Sequence, residues 1–295
     1  MPEQSVARRY AKLRRDGVVR VVGLVNPRVY GECQWVVRVR TKPDGLTRIA
    51  ETLARLPEVT HANVLSGWTE LVCIVRAPLS ESEEGLLHRL PRTSSVLSVE
   101  VDLVLHAFPD VPSALWTDYG HTLDADQCAA LAEAAPPAPA DPVAPNANDQ
   151  PLLDALSADG RISHSQLAER TGWSAARVKR RIAALEASST LTYDVDVLPE
   201  RLGFPVHALV WMNIPPRHVV EVAQHVGTHR EVASVVAVTG ANNLMAVVIA
   251  QDVEHLYRYL TGQLATVDHI DRCDVRVRTK RLKQAGSVIS HGRLV

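Results

Sequence analysis

Short segments of alternating hydrophobic and polar residues occur along the chain, separated by segments with helical spacing. In the first such strand, Trp35, Val37 and Val39 fall on one face and arginines on the other, which is typical of a half-buried β-strand. A helix, two strands around a turn at Gly67, a second helix and an alternating strand up to position 106 follow, which predicts the order βαββαβ. This order is typical of a ferredoxin-like antiparallel sheet with helices on one face. The other face is then left free for sheet-to-sheet dimerisation.

The same pattern occurs twice in the chain. Residues 6–31 align with 178–203 at a constant offset of 172 residues, and residues 58–77 align with 231–250 at an offset of 173. A period of this length is that of a domain rather than of a solenoid unit. We therefore expect a duplicated protein, with an N-terminal copy one and a C-terminal copy two.

Three predicted helices precede the sheet of copy two. The first is short and apolar and ends at Gly160. Ser163 and Gln166 form a capping box at the start of the second, and Ser174 caps the third after a turn that contains Gly172. Helix, glycine-containing turn and basic helix is the order of a helix-turn-helix DNA-binding unit, and residues 190–197 are expected to add a wing strand.

The third helix carries the expected DNA contacts. Val178, Ile182 and Leu185 recur at i, i+4 and i+7 and must face inward, which leaves a basic outward face. Arg177 is expected to pair with guanine and Arg181 to contact phosphate. The alternative is a basic face that is only solvated. The residues expected to contact double-stranded DNA are Ser163, Ser174, Ala175, Arg177, Lys179, Arg180 and Arg181.

A proline-rich segment, residues 136–148, follows a predicted short helix at 123–135 and separates the two copies. The predicted fold class is α+β, with a winged helix-turn-helix and two ferredoxin-like βαββαβ effector-binding domains. The predicted units are a remnant of a first helix-turn-helix (1–24), a first ferredoxin-like effector and dimerisation domain (25–108), a linker (109–148), the winged helix-turn-helix (149–198), a second ferredoxin-like effector and dimerisation domain (199–284) and a tail (285–295).

Composition narrows the function classes. The chain carries 32 basic and 33 acidic residues, which excludes a uniformly basic nucleic-acid binder but not a local basic patch. It has neither an apolar run long enough to span a membrane nor a secretory signal, so we expect no membrane partner and a cytoplasmic location. Its four cysteines form no C-x-x-C and are expected to be reduced thiols. His225 and His229 have metal-ligand spacing, but the helix is expected to end at Gly227, so we expect no metal site and no cofactor.

The run SADGRISHSQLAERTGWSAARVKRRIAALE (157–186) and the L-G-F-P motif at 202–205 resemble the leucine-responsive/asparagine-operon (Lrp/AsnC) family of transcriptional regulators. The resemblance covers nearly the whole chain outside 109–148. It implies a regulator without catalytic residues that forms homo-oligomers and binds a small effector, usually an amino acid, near the interface of the sheet domains.

The effector site is expected at the turn between the second and third strands of each βαββαβ domain, at Gly67 and Gly240. The family's acidic-aromatic turn is replaced here by different residues in the two copies, so the two sites should differ. Side-chain amides there can both donate and accept, which suits an amino acid. Small polar side chains beside the two turn glycines are equally well explained as ordinary turn residues. The candidate effector residues are Ser66, Gly67, Thr69, Thr239, Gly240, Asn242 and Asn243.

Two other functions stay open. Met1 aligns with Trp173, so no counterpart of 149–172 precedes copy one in this sequence, and Val6, Tyr10 and Leu13 are expected to be exposed or to dock elsewhere unless Met1 is not the true start. This favours a scaffold with decayed DNA binding as one alternative. The other is an enzyme that resembles the siroheme decarboxylases, which combine the same domain types; it would hold substrate carboxylates with His and Arg, near His61 and His207.

Overall fold

The computed structural model describes residues 3–65, 67–80, 82–108, 126 and 144–295. The linker expected at 109–148 and its helix at 123–135 lie almost wholly outside the described residues. No helix within the described ranges is long and apolar enough to cross a membrane.

Copy one begins with a helix that leads directly into a strand, and the predicted βαββαβ order follows. Its elements are α1 (Glu3–Arg15), β1 (Val19–Val25), β2 (Glu32–Thr41), α2 (Leu46–Arg55), β3 (Val59–Leu65), β4 (Glu70–Pro78), α3 (Leu86–Arg89) and β5 (Val96–Ala107).

Copy two begins with three helices and a strand, then repeats the same order and ends in a small hairpin. Its elements are α4 (Gln150–Ala158), α5 (His164–Thr171), α6 (Ala175–Ala187), β6 (Leu191–Val197), β7 (Val206–Asn213), α7 (Val219–Gly227), β8 (Val232–Val238), β9 (Leu244–Ala250), α8 (Val253–Arg258), β10 (Arg272–Gln284), β11 (Ser287–Ser290) and β12 (Arg293–Leu294).

The last strand of each copy crosses into the other copy. The first part of β5 pairs with β2 of its own copy, and its end pairs with β8. In the same way β10 pairs first with β7 and then, from Arg278 onward, with β3. The strand order β3-β4-β2-β5-β8-β9-β7-β10 therefore closes on itself, because β10 lies beside both β7 and β3. The two copies form one hydrogen-bonded unit.

The faces of the two sheets that carry no helices cover each other. Val36 and Val72 of copy one lie in one buried cluster with Trp211 and Met245 of copy two. Each helix-covered face has its own core, with the leucines of α2 in copy one and the valines of α7 in copy two. The sheet-to-sheet pairing predicted from the open faces thus occurs within one chain.

Arg38 lies at the centre of this internal interface. Its guanidinium is 4.5 Å from the ring centroid of Trp211. It also donates to Glu70 at 2.9 Å and Glu100 at 3.3 Å, and lies 3.7 Å from a carboxylate oxygen of Asp274. Arg38 and Trp211 are 173 positions apart, so they are the same site of the duplicated domain. Two equivalent sites that contact each other lie beside the local twofold axis that relates the copies.

We predict that Arg38→Ala destabilises the fold by about 3–5 kcal/mol, because Glu70 would stay buried without its cation. Urea unfolding measures the change. The matched control is Arg40→Ala, an exposed arginine on the same strand, which is expected to change stability by less than about 0.5 kcal/mol. Equal effects of the two substitutions would contradict a structural role for the Arg38 cluster.

Candidate nucleic-acid interface and effector pockets

The helix-turn-helix has its own core. Leu152 and Leu156 of α4, Leu167 of α5 and Val178 and Leu185 of α6 are all buried in one cluster. The turn between α5 and α6 passes through Gly172 at φ 70°, a left-handed conformation that glycine adopts without strain. The periodicity-based prediction of three helices with an inward apolar face is confirmed.

The start of α6 holds its polar side chains in fixed positions. Ser174 Oγ accepts a hydrogen bond from the Arg177 backbone amide at 3.3 Å and caps the helix. The Arg177 guanidinium stacks 4.0 Å from the centroid of the Trp173 ring. Ala175 is exposed beside them. Arg177 is therefore pre-oriented at the end of the helix that this motif class inserts into DNA.

The remaining basic residues of α6 divide into two kinds. Lys179 and Arg180 are exposed and available to phosphate. Arg181 instead makes a bidentate ion pair with buried Asp149, at 2.8 and 2.6 Å. The expectation that Arg181 contacts phosphate is therefore corrected: its guanidinium fixes α6 to the start of α4. Ser163 caps α5 through Gln166, as predicted, and its hydroxyl lies within that capping box.

The Asp149 carboxylate depends on this partner. Burial by itself raises the pKa of Asp149, but hydrogen bonds from the Arg181 side chain and the Asn146 amide lower it, and the net shift is downward. The pKa of Arg181 is raised, mainly by its hydrogen bond to Asp149. Both groups are therefore held in their charged forms.

Helix α1 docks on copy two through polar contacts. Arg14 pairs with Asp159 at 2.8 Å, and the Arg161 guanidinium lies 4.6 Å from the centroid of the Tyr10 ring. Val6 and Leu13 stay 48% and 44% exposed, whereas Tyr10 is half-buried. Both of the outcomes expected from the sequence therefore occur: two of these side chains are exposed and the third docks on copy two.

The two turns proposed for the effector differ in accessibility. Gly67 and Gly240 have nearly the same left-handed conformation, at φ 93° and 94°. A Cβ at Gly67 would meet only Thr69 Oγ1 at 3.8 Å, whereas a Cβ at Gly240 would collide with Asp102 of β5. Thr239 also accepts a hydrogen bond from the Leu103 amide at 2.8 Å. The turn of copy two is thus packed against copy one, while that of copy one is open; Ser66 lies outside the described residues.

Both ends of the Asn243 side-chain amide are hydrogen-bonded to the protein backbone. Its Oδ1 accepts from the Ile214 amide at 2.9 Å and its Nδ2 donates to the Ile214 carbonyl at 2.6 Å. This gives Asn243 a structural role in the turn. Asn242 is half-exposed and is the amide at this turn that better suits a ligand.

A pocket lies where α2, β10 and the C-terminal hairpin meet, a position that sequence reasoning missed. Its volume is about 620 Å³. The basic residues in its wall outnumber the acidic ones, so it favours an anionic ligand. The charged groups are Arg55, Arg201, Lys280, Arg281, Glu51 and Glu200.

Two charged residues of this wall, Glu200 and Arg281, contact buried side chains that lie behind it. Glu200 Oε1 accepts from Arg278 at 2.8 Å and lies 3.5 Å from Arg281, whose guanidinium is 3.4 Å from His207 Nδ1. Burial lowers the pKa of His207 to about 2 and that of His61 to about 4. Both rings are therefore neutral, and neither belongs to the pocket wall.

Comparison with known proteins matches the same units. Residues 34–112 and 207–288 match the family model described as the Lrp/AsnC ligand binding domain, and residues 147–186 match the AsnC-type helix-turn-helix domain. The HTH-type transcriptional regulator LrpA of Pyrococcus abyssi is 26% identical over 136 residues, which are 46% of this chain and 96% of that protein. The regulator LrpA1 of Halobacterium salinarum is also 26% identical, over 46% of this chain and 96% of its own length.

A solved structure resembles the chain over almost its full length. The siroheme decarboxylase NirDL aligns with 97% of this chain and 84% of its own, with a TM-score of 0.66 and 14% sequence identity. At this identity the likeness concerns the fold alone.

We predict that Arg181→Ala destabilises the helix-turn-helix by roughly 2–4 kcal/mol, because Asp149 would be buried without a partner while the partly exposed arginine makes the loss smaller than for a fully buried pair. Thermal unfolding followed by circular dichroism measures it. The matched control, Arg180→Ala, removes an exposed charge from the preceding position and should leave the melting curve almost unchanged. If the two variants melt alike, the ion pair does not hold the unit together.

The Arg181–Asp149 ion pair also predicts that the protein loses folding stability at low pH. Because the folded pKa of Asp149 is lowered, its stabilising contribution is fully present above the unfolded value of about 3.9 and is lost as pH falls through the folded value. Asp149→Asn should be less stable than the parent at neutral pH and should approach it at low pH. A constant difference between the two proteins at all pH values would contradict this.

Proposed function

The chain belongs to the Lrp/AsnC family of DNA-binding transcriptional regulators with a ligand-binding domain. We propose the following role for each of its units. Residues 149–198 act as a winged helix-turn-helix that reads double-stranded DNA. The units 25–108 and 199–284 act as ferredoxin-like domains that bind a small amino-acid-like effector. Because the two copies pair within one chain, a homo-oligomer is an assembly of such internal pairs.

The proposed DNA-reading role rests on one observation, the position of Arg177 on α6. Arg177 projects from the first turn of a capped helix and is held against Trp173, so little side-chain freedom is lost when it meets a base. Arginine held in this way suits the two major-groove acceptors of guanine. Lys179 and Arg180, exposed on the same helix, supply phosphate contacts that position the protein without specifying sequence.

The effector has two candidate places. The first is the pair of turns at Gly67 and Gly240, where Asn242 offers both a donor and an acceptor. The second is the pocket of about 620 Å³ with its excess of basic groups, which suits a carboxylate-bearing ligand. The turns remain our first choice because the half-exposed Asn242 amide can meet both the amino and the carboxylate group of an amino acid.

An enzyme is the second candidate function, favoured by the full-length likeness to the NirDL fold. His207 lies beside Arg281 as such an enzyme would need, but the neutral, deeply buried rings of His207 and His61 favour a packing role. A tetrapyrrole that gains a protein-bound absorption spectrum and is decarboxylated on incubation with the chain would establish the enzyme instead.

We predict that Arg177→Ala reduces the difference in binding free energy between operator and mismatched DNA by about 1–3 kcal/mol. Lys179→Ala should instead weaken binding to all sequences and reduce the salt slope of the binding constant by roughly 0.9. Gel shifts on the protein's own promoter, repeated at several salt concentrations, separate the two effects. Parent-like binding by both variants at moderate salt would support the scaffold with decayed DNA binding.

We predict that Asn242→Ala weakens the binding of an amino-acid effector in calorimetry without changing the unfolding curve. Lys280→Gln, which removes a positive charge from the pocket wall, serves as the comparison. If Asn242→Ala binds like the parent and Lys280→Gln does not, the effector site is the pocket rather than the turn.

A further inference from the structure

The turn that connects α1 to β1 has the same geometry as the turn that connects α6 to β6. The two helices cover Glu3–Arg15 and Ala175–Ala187, which are equivalent residue for residue at the offset of 172. After α1, the Val18 amide donates to the Leu13 carbonyl at 2.9 Å; after α6, the Thr190 amide donates to the Leu185 carbonyl at 3.0 Å. Gly17 and its counterpart Ser189 both have positive φ, at 67° and 50°.

The strands that follow these helices pair with each other about a local twofold axis. In the antiparallel β1–β6 pair, Val19 lies opposite Val197 and Val25 opposite Leu191. Val22 lies opposite Asp194, which is its own counterpart at the offset of 172. The axis therefore passes between Val22 and Asp194, and it relates α1 to α6 as the two reading helices of a helix-turn-helix dimer are related.

Helix α1 presents a basic stripe on the surface that corresponds to the exposed surface of α6. Arg8, Lys12 and Arg15 are exposed and follow one another at i, i+4 and i+7. Their counterparts on α6 are exposed too: Arg180, Ala184 and Ala187. The stripe on α1 is thus more basic than the equivalent face of the reading helix.

The position proposed to read bases on α6, and one of the positions proposed to bind phosphate, carry no charged side chain on α1. The counterparts of Arg177 and Lys179 are Ser5 and Ala7. At the same time α1 is fixed in place, by the Arg14–Asp159 pair and by the Leu294 amide, which donates to the Gly17 carbonyl at 2.9 Å. A fixed helix with phosphate-binding side chains but no base-reading side chain suits contact with the DNA backbone alone.

We propose that α1 is a second DNA-binding element, which binds backbone phosphates about one helical turn, or 10–10.5 bp, from the half-site that α6 reads. This rests on the proposed DNA-reading role of α6. One chain then covers two successive segments of the duplex but reads sequence in only one of them. The operator of a single chain is correspondingly asymmetric.

The test is the salt dependence of binding to two duplexes. The variant carries Arg8→Gln, Lys12→Gln and Arg15→Gln; on a duplex that extends beyond both segments, its salt slope should be smaller than the parent's by about 2.7, or roughly 0.9 for each phosphate contact. On a duplex that ends just beyond the half-site of α6, variant and parent should have equal slopes. The single substitution Lys12→Gln should reduce the long-duplex slope by about 0.9 and avoids large changes to the helix.

A matched control separates this local effect from net charge. Arg48→Gln, Arg89→Gln and Arg92→Gln remove three exposed positive charges from copy one, outside the helix-turn-helix, and should leave the slope close to the parent's. If the α1 variant and the control have the same slope on the long duplex, α1 does not bind DNA, although α6 still does. If the parent binds neither duplex above background, the proposed DNA-reading function itself is wrong.

Discussion

The two copies pair with each other inside one chain, and this pairing determines both the sheet and the arrangement of α1 and α6. In a symmetric dimer of identical subunits, a residue on the twofold axis meets its own copy. Here the equivalent sites carry different residues, so Arg38 meets Trp211 and Val22 lies opposite Asp194. An arginine against an arginine would be repulsive at this buried position, whereas an arginine over a tryptophan is attractive. Duplication within one chain makes such unequal pairs possible.

The two copies also differ in the helices α1 and α6, which occupy equivalent positions in the fold. Helix α6 rests on α4 and α5, which bury its apolar face, and the Arg181–Asp149 pair locks it to the start of α4. Helix α1 sits at the symmetry-related position without that apolar layer and is held by polar contacts instead. The two helices therefore share a position in the fold but differ in chemistry: α6 holds Arg177 against Trp173 at its first turn, whereas α1 carries a basic stripe.

Periodicity in the sequence predicts local structure well and long-range partners poorly. The helix order, the inward face of α6 and the βαββαβ pattern follow from spacing alone, because burial of one face dictates the period. The role of Arg181 does not follow, since its partner Asp149 lies 32 positions earlier and is separated from it by two helices. Asn243 is a similar case, because its amide bonds a backbone 29 positions away. The crossing of β5 and β10 between copies depends on pairings that only the folded chain displays.

We propose that one chain reads one half-site and holds the DNA backbone at the next. Chemical interference on the promoter DNA tests it most directly, because methylation of guanine N7 blocks major-groove reading while ethylation blocks phosphate contacts. We expect methylation interference in one segment only and ethylation interference in two segments about one helical turn apart. Methylation interference in both segments, or ethylation interference confined to one, would contradict it.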